Sequence, residues 1–81
     1  MTATRSKRQI LEDAGYRYHF DRMIYLNRAA KKIFSVESVD DHREEWLAAR
    51  IAEPPEGNEW RFYFNSPPSE YVKNQLLSEF A

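Results

Sequence analysis

The sequence predicts an α+β domain in which helices pack on a four-stranded, mainly antiparallel sheet, in the element order α-β-β-β-α-β-α. Three observations predict it. Apolar residues recur with period two from Tyr16 to Val36 and again from Trp60 to Phe64, as half-buried strands require, and the segments around them carry helical spacing. All glycines and prolines stand at seams between these segments (Gly15, Pro54, Pro55, Gly57, Pro67, Pro68), so little chain is left for irregular loops. Aromatic residues make up 15% of the chain and concentrate in the strand segments, where large side chains pack well on a pleated surface.

The first element is a helix from Thr4, its expected N-cap, through Ala14, with Ile10, Leu11 and Ala14 as a narrow apolar stripe. Gly15 stops it, because glycine takes the left-handed conformation at low cost. Tyr16, Tyr18 and Phe20 then alternate with Arg17 and His19 in a strand that turns at Asp21-Arg22. Met23 to Asn27 carries apolar material on both faces, which suits a central strand. Asn27 to Lys31 reads as a turn, and Lys32 to Glu37 completes a three-stranded meander.

Asp41 and Glu44 resemble a capping box opening one helix that runs to about Ala52, with Trp46, Leu47 and Ile51 on its apolar side. Pro54, Pro55, Gly57 and Asn58 end it and turn the chain. Glu59 to Asn65 is the fourth strand, with Trp60, Phe62 and Phe64 on one face and Arg61 and Tyr63 on the other. Ser66 as N-cap and Pro67 at the first helical position are expected to open the last helix. Its core stripe is Val72, Leu76 and Phe80, widened by Leu77. A parallel third and fourth strand would be joined by a right-handed crossover, and a fourth strand beside the first would give the sheet order 3-2-1-4.

With 81 residues the chain is one domain, 1–81, of a size that buries roughly 60 to 65% of its unfolded surface. Hydrophobic residues at 42% suffice for a core and argue against a disordered chain. The absence of cysteine removes disulfides, thiolate metal sites and cysteine nucleophiles. Together with a polar segment at Met1 to Arg8, it points to a cytoplasmic protein, bacterial in style. No run approaches the roughly 20 apolar residues of a membrane-spanning helix, so no membrane association is expected.

The candidate chemistry is sparse. Asp41, His42 and Glu45 include a three-residue spacing that can set two ligands on one helix face, but first-turn carboxylates are expected from the helix dipole, and no second cluster completes a metal site. His19 and Asp21 share a strand face without a nucleophile beside them. Two glycines cannot build a phosphate loop. An enzyme or metal protein is therefore the least favoured reading, and no cofactor is expected.

Charge is unevenly placed. Met1 to Val36 carries eight basic residues against three acidic ones, and Glu37 to Ala81 carries four against ten. Aromatics interleave with bases around Tyr16 to Tyr25, and a basic hairpin can follow phosphates, which makes Arg17, Arg22, Arg28, Lys31 and Lys32 candidate nucleic-acid contacts. In the order of its elements, a meander followed by a helix, the chain resembles small DNA-binding domains of the integrase and plant transcription-factor type; that resemblance implies nucleic-acid binding through the meander. Against it stands a pI of about 6.1. The leading expectation is a non-catalytic interaction or regulatory domain whose partner is another protein or its own copy in a homodimer. Arg61 and Tyr63, on an aromatic strand suited to edge pairing, are the interface candidates.

Overall fold

The computed structural model describes residues 6–54 and 57–80. Helix α1 spans Lys7–Asp13 and is capped by Ser6, whose Oγ accepts from the Gln9 amide at 3.1 Å; the Thr4 cap expected from sequence lies outside the described residues. The helix stops at Gly15, which takes φ +95°. A Cβ there would lie 3.3 Å from Asn27 Nδ2, so the position is closed by a neighbour as well as by its backbone. Asn27 organises two seams at once: its Nδ2 donates to the Ala14 carbonyl, and its Oδ1 accepts from the Ala30 amide in the following turn.

Strands β1 (Arg17–His19), β2 (Ile24–Asn27) and β3 (Lys32–Ser35) form the antiparallel meander, and β4 (Arg61–Tyr63) joins β3 in parallel. The sheet is thus mixed, with two antiparallel pairs and one parallel pair. Its order is β1-β2-β3-β4, which corrects the expected 3-2-1-4. The physical reason is proximity. A crossover beginning at the end of β3 delivers its strand most directly to the free edge of β3 itself, whereas a place beside β1 would require spanning two strands.

The segment between β3 and β4 also differs from expectation. Ser35 Oγ accepts from the Ser38 amide at 3.1 Å and so caps a short helix, α2 (Val36–Asp41), taking Val36 and Glu37 out of the third strand. A second helix, α3 (Glu44–Ala52), follows after extended backbone at His42 and Arg43. Asp41 therefore ends one helix and does not cap the next. Helix α4 spans Glu70–Phe80, later than the expected start at Ser66. Pro68 disfavours helical backbone at Pro67, so the cap shifts to Ser69, whose Oγ accepts from the Val72 amide at 3.2 Å.

Strand alternation divides the sheet into two packed faces. On the first, Tyr25 and Phe34 join Tyr16, Leu11 of α1, Val39 of α2 and Leu47 of α3 in one buried cluster. On the second, Ile24, Leu26 and Ile33 are covered by Leu76 of α4, with Phe62 and Phe80 packed against them. β2 is central and buried on both faces, as its two-sided apolar pattern implies. Trp60, Phe62 and Phe64 all pack in the second cluster.

Candidate functional site

The residues singled out by sequence separate into three surroundings. Arg61 and Tyr63 lie on β4, at an edge of the sheet, yet both are built into an internal network. The Tyr63 ring stacks on Phe34 at 4.6 Å between centroids, and its hydroxyl donates to Glu53 Oε2 at 2.9 Å. Arg61 Nη1 donates to the same oxygen at 2.8 Å, while Arg50 pairs with Glu53 Oε1 at 2.7 Å. The Tyr63 hydrogen bond, with the neighbouring guanidinium groups, holds the Glu53 carboxyl below the usual carboxylate range; burial pushes the Tyr63 phenol up. This arrangement ties the edge strand to the end of α3.

Lys32 belongs to the same region. It is 1% exposed, and its ammonium donates to the Arg50, Ile51 and Glu53 carbonyls at 2.8, 3.1 and 2.5 Å. The Arg50 and Ile51 carbonyls belong to the last turn of α3 and have no partner within the helix, and the third is that of its C-cap, Glu53. A buried cation there satisfies them and meets the negative end of the helix dipole. Desolvation draws the Lys32 pKa down, opposed by the charge of Glu53. Lys32 is therefore corrected from a phosphate contact to an interior helix cap. Lys7 plays the matching role for α2, donating to the carbonyls of Val39, Asp40 and His42.

The four other basic candidates have different surroundings. Arg22, in the β1–β2 turn, makes a two-point ion pair with Glu79 of α4, its Nε 2.7 Å from Oε2; the same contact lowers the Glu79 pKa. Lys31 reaches the Asn58 carbonyl at 3.3 Å. Arg17 and Arg28 both line a cleft on the second face.

A further surface was not anticipated. Phe20 and Met23 in the β1–β2 turn are 75% and 54% exposed, and Tyr71 and Val72 near the start of α4 are 71% and 41% exposed. Phe20 was expected to continue the first strand. Instead the turn takes all of Phe20 to Met23, with Met23 at φ +55°, so alternation ends at His19. Val72 was expected in the core stripe, but only Leu76 and Phe80 of that stripe pack against the sheet. A groove of about 220 Å³ beside the turn is lined by Arg22, Tyr71, Val72, Gln75, Leu76 and Glu79. Tyr71 could have been found from sequence, since it stands outside the Val72, Leu76, Phe80 row; the exposure of Phe20 and Val72 depends on turn length and helix placement.

Both histidines pack against aromatic rings. His19 lies against Phe80 at 4.3 Å between centroids and makes no bond to Asp21. The His42 ring stacks on Trp46 at 3.9 Å with Nδ1 2.7 Å from the Ser38 carbonyl. Among the described residues no three carboxylate or imidazole groups cluster as metal ligands, and no helix is long and apolar enough to cross a membrane. Set against protein-family models, curated proteins and solved structures, the chain matches none.

Proposed function

We propose that this domain is a non-catalytic protein-interaction module that presents the β1–β2 turn and the adjoining flank of α4 to a protein partner. The observation that carries the reading is the exposure of Tyr71 and Val72 at the groove that Arg22 and Glu79 also line, beside a turn that exposes Phe20 and Met23. Large apolar side chains grouped at a polar-rimmed groove mark association surfaces in small domains. Tyrosine and arginine are residues that interfaces favour. The Arg22–Glu79 pair fixes the turn against the helix, so the two halves of the surface form one unit that a partner can engage. This surface takes the interface role expected of Arg61 and Tyr63, whose polar groups are engaged within the fold. The absence of cysteine favours a reducing compartment such as the cytoplasm.

The test is site-specific photo-crosslinking from position 75, where Gln75 lines the groove, in cells producing the tagged domain. A discrete adduct that untagged domain competes away, and that disappears when Tyr71 and Val72 are both changed to serine, is the expected result. The mass of the adduct identifies the partner, a second copy of the chain included. Adducts of equal yield in wild type and the double variant would sink the proposal.

A further inference from the structure

Away from the apolar groove, α1 ends and β1 begins beside a cleft of about 320 Å³ lined by Gly15, Arg17, His19, Leu26 and Arg28. Its geometry follows from the register of the hairpin. Arg17 stands directly opposite Leu26 and His19 opposite Ile24, so arginine and imidazole project from the second face of the sheet, over a floor made by the buried Leu26. Arg28 enters from the β2–β3 turn and is held by its Nε, which donates to the Phe80 carbonyl at the end of α4. His19 is held by its contact with the Phe80 ring. Gly15 has no side chain to close the mouth.

The donors of this cleft are in excess. The Arg17 side chain makes no hydrogen bond or ion pair among the described residues, and the terminal nitrogens of Arg28 likewise have none, whereas Arg8, Arg22, Arg50 and Arg61 all meet carboxylates. Among the described residues no acidic side chain lines the cleft. Two guanidinium forks and an imidazole converging on one space suit a compact anion with several acceptor oxygens. Phosphate fits this need better than a planar carboxylate, which one fork satisfies alone. A volume near the lower bound of small-molecule sites, about 300 Å³, leaves room for a small organic group over Leu26 beside the anion.

We propose that this cleft is a phosphate-binding site in which Arg17 and Arg28 clasp a phosphate monoester or diester, with His19 as a third donor. The site is separate from the turn and α4 surface, so either can fail without the other. The phosphate can come from a small phosphorylated molecule or from a polynucleotide backbone, and the experiment distinguishes them.

The experiment follows the arginine side-chain Nε–Hε signals and backbone amides of the full chain by NMR during titration with inorganic phosphate, AMP, a uridine dodecamer, and acetate as control. Saturable shifts at Arg17, Arg28 and Gly15 with the phosphate ligands are expected. Changing Arg17 to glutamine should weaken binding about tenfold, the loss of a charge-assisted pair of hydrogen bonds. Arg28→Lys keeps the charge and loses the fork, and should weaken binding with the amide spectrum otherwise intact. Tighter binding of AMP than of the dodecamer identifies a small-molecule site. Affinity that grows with oligomer length and falls steeply with salt identifies a polynucleotide. Equal shifts with acetate, shifts spread evenly over all arginines, or unchanged affinity in Arg17→Gln would overturn the proposal.

Discussion

The two faces of the sheet are built by different means. The first face is covered by three short helices, and its interior admits polar groups wherever a helix end or strand edge needs one: Lys32 beneath α3, Lys7 beneath α2, and the Glu53, Arg61 and Tyr63 network at β4. The buried Tyr16 hydroxyl has no partner among the described residues, and burial raises its pKa. The second face is covered by one helix, packs almost wholly through apolar contacts, and holds α4 in place with arginines at the surface, Arg22 to Glu79 and Arg28 to the Phe80 carbonyl. Apolar packing is non-directional, while a cation beneath a helix end accepts few geometries. The first face is therefore specified residue by residue. The second leaves both its apolar flank and its basic cleft open to solvent.

The contrast can be broken by substitution. Phe34→Ala removes the ring at the centre of the first cluster, in contact with Tyr16, Trp46 and Tyr63, and should cost about 4 kcal/mol of stability in urea unfolding. Leu76→Ala on the second face should cost about 2 kcal/mol, because a surface-bound helix can settle into the space. Equal losses would mean that the two faces are packed alike.

Lys32→Met keeps the bulk of the side chain but leaves the α3 carbonyls without a donor. It should destabilise the domain by roughly 3 kcal/mol, measured the same way. A neutral result would show that the carbonyls find other partners and that the first face is less exacting than its geometry implies.

The smallest effect concerns pH. Glu53 titrates below its ordinary range in the fold, so the stability it contributes is complete above the unfolded value of about 4.3 and is lost as pH falls through its folded value. Glu53→Gln should lower the urea midpoint at neutral pH, and the gap to wild type should narrow as pH drops below about 4.3. A gap independent of pH would assign the role of Glu53 to shape and not to charge.

Local chemistry was sufficient for much of this architecture. The stop at Gly15, the alternation through Tyr18 and Tyr25, the two-sided character of Ile24 to Leu26, and the shared face of Trp60, Phe62 and Phe64 all follow from periods of two and from backbone preference, which act between near neighbours. The candidate sites were legible only in part. Arg17 and Arg28 lie eleven positions apart and are brought to one cleft by the β1–β2 hairpin and the turn after it, which a sequence pattern does not show. Lys32 looks the same in sequence as its neighbour Lys31.

Only the tertiary structure decided that Lys32 lies under the end of α3 while Lys31 is half-buried and reaches the Asn58 carbonyl, that the segment after β3 breaks into two helices, and that β4 sits beside β3. Each of these depends on where a distant segment comes to rest. A lysine is buried when carbonyls of another helix arrive to satisfy it, and exposed when they do not; side-chain identity sets the cost of either outcome, and long-range packing chooses between them.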